Sequence, residues 1–355
     1  MKRISPLRLG VVFAGCFLGA GYVSGQELWQ FFGAYGLGGY FGILLAVVLV
    51  FCFGVLILRL AQITQETEMD WVVIPWDVPL LRTLMGILEV LFLFGIVAIM
   101  SAGIGALMQQ LYGLPYALSS FVFSLLLLVV ALFGLKGVVS AFSFSVPLLV
   151  IVTVFFGIRA VLLNDFTSVA WEVTTGSNEL LGNWVFGAVN FACYNVFGII
   201  GLMVPFAEFI PEKRVVYRGV GLGSLGLLLI ALSVLLCLSF SPDAVLAQLP
   251  MLVLAEELSP LAAALYALLL ALAMFGTSIS SMVGLIDFLT KKFRFVRTHT
   301  RGTLAVVTAL AFFASLYGFG DLIGVLYPVF GYCSAIFLLM MVVHYLQLKK
   351  QGLVR

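Results

Sequence analysis

The chain has 355 residues, 63% hydrophobic and only 10% charged, with a mean hydropathy of +1.21. A soluble domain is about half apolar and about a quarter charged, so this composition excludes an ordinary soluble fold and points to an all-α polytopic membrane protein. The net charge of +2 gives no basis for a nucleic-acid partner, and two histidines, His299 and His344, cannot build a His-based metal centre or catalytic triad.

The N-terminal stretch "MKRISPLRLGVVFAGCFLGAG" imitates a secretory signal. Its apolar run, Leu9 to Ala14, is shorter than the roughly 7–15 residues of a signal h-region, so it reads as an uncleaved first span. Cys16, Cys52, Cys193, Cys237 and Cys333 all lie in apolar segments and read as small core residues. A span needs about 20 mainly apolar residues. Ten stretches qualify: 9–34, 37–59, 83–112, 115–133, 137–160, 183–209, 217–240, 260–289, 302–318 and 321–347. With the N-terminus inside, every Lys and Arg except Arg159 falls on the cytoplasmic side, Lys136 included; both termini are then cytoplasmic, in the cell's inner membrane.

The first span contains "GAGYVSGQELWQFF". In hydrocarbon, irregular backbone survives only inside protein or beside water. Gly19, Gly21 and Gly25 predict a local unwinding near the midplane. That bares N–H groups near Gly25, suited to an anion, and carbonyls around Gly15 to Leu18, suited to a cation. Ala20, Ser24 and Gln26 line the same stretch. Glu27 must face water or a partner, and can bind a substrate amine, carry a proton or simply be solvated. The inner loop 60–82 is acidic, with two Trp and two Pro. On the third span, Ser101 is a candidate wall residue, and Glu89 is an unusual intramembrane charge.

The sixth span, "NWVFGAVNFACYNVFGIIGLMVPFAEFIP", carries Asn190, Tyr194, Asn195 and Gly198 at its middle, with Phe197 placed to close over a ligand. Its position mirrors the first-span interruption about 170–175 positions later, which predicts a second break and an inverted repeat of five plus five spans. The organisation is therefore 1–160 for the first repeat, 161–182 for an extracellular loop, 183–347 for the second repeat and 348–355 for a cytoplasmic tail. The outer loop 241–259 reads as containing a short surface helix. On the eighth span, "FGTSISSMVG" offers the hydroxyls of Thr277, Ser278 and Ser281; such hydroxyls equally bond their own helix.

The first-span motif resembles that of the YkvI-type membrane proteins, a branch of the amino acid–polyamine–organocation superfamily, and more distantly that of LeuT-fold amino-acid transporters. The resemblance implies spans one and six broken, with substrate between spans one, three, six and eight. It also implies a sodium site made by Gly15 and Leu18 carbonyls with Thr277, Ser278 or Ser281. The departure is span five, where Lys136 stands only at the start, so the buried Lys of some proton-coupled relatives has no match. The expected function is ion-coupled symport of an amino acid or similar small organic solute, driven by Na+ or H+, in a chain that is no enzyme and needs no organic cofactor. The alternative is a non-transporting, amino-acid-sensing receptor subunit of spore-germination type. Solute, coupling ion and oligomeric state are not legible in the sequence.

Overall fold

Ser5 and Pro6 start the first helix: the Ser5 hydroxyl accepts from the Arg8 amide at 3.3 Å and Pro6 occupies the first turn, where its missing N–H costs nothing. The computed structural model describes residues 4–133, 145–164, 178–210 and 212–353. Lys2, Arg3, Lys136 and Arg355, the start of the predicted fifth span and most of the predicted loop 161–182 lie outside those residues.

Helix α1 (Pro6–Phe17) ends at Leu18, and Gly19 is extended. A five-residue helix follows, α2 (Ala20–Ser24), then Gly25 in the left-handed region at φ 88°, then α3 (Gln26–Phe31). The first segment is thus interrupted twice within eight residues. Gly25 is where glycine is needed: its φ disfavours any side chain, and a Cβ there would sit 3.0 Å from Leu238 Cδ1. The chain continues through α4 (Leu37–Thr64), the short α5 (Met69–Val73) in the predicted loop 60–82, α6 (Pro79–Tyr112), α7 (Tyr116–Phe133) and α8 (Ser145–Leu163). The second half holds α9 (Trp184–Phe206), α10 (Lys213–Phe240), α11 (Pro250–Leu258), α12 (Pro260–Lys292), α13 (Arg294–Thr298), α14 (Thr300–Ser315) and α15 (Phe319–Lys350).

Among the described residues, seven helices are long and apolar enough to cross a membrane. The remaining apolar segments, Pro6–Phe17, Leu148–Leu163 and Thr300–Ser315, are shorter. Outward-facing Leu, Val, Ile and Phe side chains such as Leu7, Leu84, Phe121 and Leu339 stay exposed, as expected of surface that meets lipid rather than water. Two groups of helices form. Helix α1 packs on α10, and α4 packs on both α9 and α10; separately, α6 packs on α7, α12 and α14. Helix α15 lies against α9 and α6, joining the two groups. The predicted surface helix in 241–259 is α11, whose Met251 packs against Gly25.

The expected break in the sixth segment is absent: α9 is one uninterrupted helix from Trp184 to Phe206. Its polar residues are spent on side-chain contacts instead. The Asn195 amide donates to the Phe191 carbonyl one turn back at 3.1 Å, and the Asn190 amide donates to Pro328 O at 2.9 Å. Its glycines serve packing. A Cβ at Gly198 would fall 2.6 Å from the Phe92 ring, and one at Gly201 would fall 3.2 Å from Glu89 Oε1. Small residues here bring helices together and leave the backbone helical.

Candidate functional site

The double interruption places Glu27 in the first turn of α3, 4% exposed. Tyr194 of α9 donates its hydroxyl to Glu27 Oε1, and the Asn195 amide lies beside the same carboxyl group. The other carboxyl oxygen folds back over the break, where a Cβ at Gly21 would stand 2.6 Å from it and 3.4 Å from Ile323 Cδ1. Gly21 is therefore a glycine because the Glu27 carboxyl occupies the space of its side chain. Aromatic rings enclose the group. Tyr194 stacks on Tyr327 of α15 with centroids 4.6 Å apart, and it packs tilted against Phe31 at 5.5 Å and T-shaped against Phe191 at 5.6 Å. The ion pairs among the described residues, Arg82–Asp77 and Lys291–Asp287, lie elsewhere, so no basic side chain neutralises Glu27 there.

This arrangement revises the anion site expected at Gly25. The protein's own carboxyl group already sits at the start of α3, where the helix dipole favours negative charge. A substrate carboxylate at the same place would face a like group. What the arrangement presents is an acceptor set within an aromatic wall.

The rest of the first segment is held by neighbouring helices. Tyr22 OH donates to Leu227 O at 2.8 Å, and Tyr266 of α12 donates to Val23 O at 2.6 Å. Ser24 is turned inward on its own chain, donating to Gly21 O at 3.2 Å and accepting from the Gln26 amide at 3.4 Å. Ala20 is fully buried at the head of α2. Gly15 and Gly19, four residues apart, each border open space with no atom within 4 Å of a Cβ.

Several predicted residues are not brought to Glu27. Ser101 receives the Ser124 hydroxyl at 3.4 Å in the seam between α6 and α7. Phe197 packs against Phe92 and Phe337 rather than over the carboxyl group, and Gly198 seats Phe92. On α12, Ser278 donates to Met274 O at 2.8 Å, the helix-internal bond; Ser281 is buried and Thr277 half-buried. Among the described residues no hydrogen bond joins Thr277, Ser278 or Ser281 to the Gly15–Leu18 segment, since α1 packs chiefly on α10.

The sequence reading missed α15. Residues 320, 323, 324, 327, 328 and 331 recur at helical spacing on one face, and that face meets the site. Gln30 Nε2 donates to Gly320 O at 3.0 Å, Ile323 and Tyr327 flank Glu27, and Asn190 fills the hollow over Gly331. The signal was present as Gly320, Gly324, Pro328 and Gly331.

No family model matches the chain. It is similar to the uncharacterized membrane protein YkvI of Bacillus subtilis (strain 168), 26% identical over 336 residues covering 94% of each chain. It is also similar to the uncharacterized protein YyaD of the same organism, 25% identical over 340 residues, 90% of this chain and 91% of the relative. Among solved structures, Mhp1 in its inward-facing conformation superposes on 100% of this chain and 80% of its own, with TM-score 0.64 at 15% identity. MhsT in complex with L-phenylalanine covers 96% and 89%, with TM-score 0.63 at 15% identity. The manganese transporter of Eremococcus coleocola, bound to an aromatic bis-isothiourea compound, covers 94% and 78% at TM-score 0.57. At such identities the likeness establishes the fold: a multi-pass, all-helical membrane chain built like the LeuT-fold proteins.

Proposed function

We propose that the chain is a secondary active transporter, an ion-coupled symporter of an amino acid or similar small organic solute. The observation that carries this reading is Glu27: a buried carboxyl group, placed mid-protein by a doubly interrupted helix, held by a tyrosine of a facing helix and left without a basic partner among the described residues. Intramembrane ionisable groups are costly and mark solute or ion pathways. The ligands and cargoes of the structural neighbours, L-phenylalanine on MhsT and manganese for the Eremococcus protein, support a small-solute or ion cargo. Among the described residues no group of three or more His, Cys, Asp and Glu could hold a metal ion, which favours the organic solute.

In this reading the ten apolar segments all span, as two inverted five-helix repeats with cytoplasmic termini. Among the described residues only the first span is broken, so Gly19 and Gly25 act as the hinges, and the solute rests between α2–α3 and the side chains of the unbroken α9. The coupling ion is H+ carried on Glu27, or Na+ held by the carbonyls of Gly15 and Leu18 with Thr277, Ser278 or Ser281 once α1 closes on α12. Uptake of radiolabelled amino acids into proteoliposomes, under a sodium gradient or a proton gradient alone, tests the proposal. Accumulation that needs one gradient supports it and names the ion. Binding of an amino acid with no accumulation under either gradient overturns it in favour of the non-transporting receptor.

A further inference from the structure

Three carboxamides meet α15 along its 320–331 face. Gln30 Nε2 donates to Gly320 O at 3.0 Å, Asn178 Nδ2 donates to Gly324 O at 2.7 Å and Asn190 Nδ2 donates to Pro328 O at 2.9 Å. Pro328 explains the middle bond: it has no N–H, so the Gly324 carbonyl four residues earlier lacks its helical donor and takes Asn178 instead. For Gln30 and Asn190 these bonds also fix which end of the amide is oxygen, because a flip would set oxygen against oxygen.

The oxygens so fixed have nowhere to go. Gln30 Oε1 and Asn190 Oδ1 are buried with no hydrogen-bond partner; Gln26 Oε1 is unpartnered as well, on an amide whose Nε2 lies against Gly320, and Asn190 is only 3% exposed. Between them on the same face stand Glu27, against Ile323, and Tyr194, against Tyr327. The face thus presents acceptors in series: two glutamine oxygens at 320–324, a carboxyl group at 323–327 and an asparagine oxygen at 328–331. The stretch is twelve residues of helix, about 16 Å from first to last. Buried acceptors are normally satisfied, and these three share a missing class of partner, an N–H or O–H donor.

We infer that this seam between α3, α9 and α15 is a binding track for a protonated amine, and that the cargo is recognised by its ammonium end rather than by a carboxylate. The inference rests on the transporter reading for its biological sense but not for its chemistry. The carboxyl group supplies the counter-charge, the orphan amide oxygens take the N–H donors, and the stacked Tyr194 and Tyr327 rings with Phe31 and Phe191 suit an organic cation. A bare metal cation fits less well: it needs several oxygens converging at one point, and these are spread along a helix face.

The test uses the purified full chain in detergent and thermal-shift measurements with three matched series. For glycine, alanine, leucine, phenylalanine and serine, the probes are the free amino acid, the amine lacking its carboxylate and the N-acetyl acid lacking its ammonium, each in sodium and in choline chloride. The expected result is stabilisation by ammonium-bearing probes, decarboxylated amines included, and none by the N-acetyl acids. In Gln30→Met and in Asn190→Leu, the stabilising amine binds about tenfold or more weakly, the effect of a lost hydrogen bond to a charged group. N-acetyl acids that stabilise as well as their parents, or no stabilisation by any ammonium-bearing probe, overturn the inference. The wild-type comparison stands even where a variant fails to fold. The same probes in proteoliposomes separate the two claims. An amine that binds but never accumulates refutes transport and leaves the track intact, whereas accumulation of N-acetyl acids refutes the track and leaves transport.

Discussion

Gly21 and Glu27 are locked together by space, and the consequence can be worked out. An alanine at 21 places a methyl group 2.6 Å from Glu27 Oε2, well inside contact distance, with Ile323 Cδ1 at 3.4 Å closing the other side. The carboxyl group must swing away, and its other oxygen then leaves the Tyr194 hydroxyl. Losing that buried bond costs about 1–3 kcal/mol, against about 1 kcal/mol gained by replacing glycine with alanine inside α2. The net expectation for Gly21→Ala is a destabilisation of roughly 0–2 kcal/mol. Tyr194→Phe removes the same bond without the clash. In the Tyr194→Phe background the alanine has little left to break, so adding it should be neutral or stabilising, with a coupling energy of about 1–2 kcal/mol. The assay is thermal unfolding of the four proteins in detergent, where about 1 kcal/mol corresponds to a few degrees. Additive effects would refute the claim that Gly21 leaves space for this carboxyl group's bond to Tyr194.

Other expectations follow from single contacts. Gly25→Ala forces a side chain into φ 88° and against Leu238, and should cost at least about 1–2 kcal/mol, read as a lowered melting temperature. Gly198→Ala drives a methyl group into the Phe92 ring, so it should lower stability by about 1–3 kcal/mol while leaving the affinity for any bound solute unchanged; a selective loss of affinity would return Gly198 to the site. His344 Nδ1 bonds the Val72 carbonyl at 2.7 Å, and beside it lies a cavity of about 300 Å³ that Trp71 and Arg82 also line. His344→Ala should speed hydrogen exchange across 69–73 relative to the rest of the chain; unchanged exchange there would show that the bond does not anchor α5.

What could be read in the sequence follows from what membrane burial forces. Glycines beside Ser24, Gln26 and Glu27 inside hydrocarbon have few solutions; the first segment is interrupted at Leu18–Gly19 and again at Gly25, while Gly21, expected in the unwound stretch, stays helical in α2. The same residue types in α9 had a second solution that the sequence does not distinguish. Asn190 and Asn195 find carbonyls on other turns and other helices, and Gly198 and Gly201 admit Phe92 and Glu89, so the helix runs through. Composition registers that a polar group needs a partner; which chain segment supplies it is a tertiary fact. Ser101 is a case in point: its partner is Ser124, one turn from the buried Ser120 on α7, and spacing along either helix alone does not say that the two serines meet. The face of α15 escaped notice for the opposite reason. Gly and Pro are frequent in membrane helices, and only the amides packed over Gly320, Gly324 and Gly331 give that spacing its meaning.

The most direct test of the central claim is solute-induced charge movement on a solid-supported membrane, with wild-type and Glu27→Gln proteoliposomes challenged by the same amino acids. The account predicts transient currents in the wild type that disappear, or fall by an order of magnitude or more, when the carboxyl group becomes an amide. Equal currents from both proteins would contradict it, for Glu27 would then be a buried structural group with no part in moving cargo or ion.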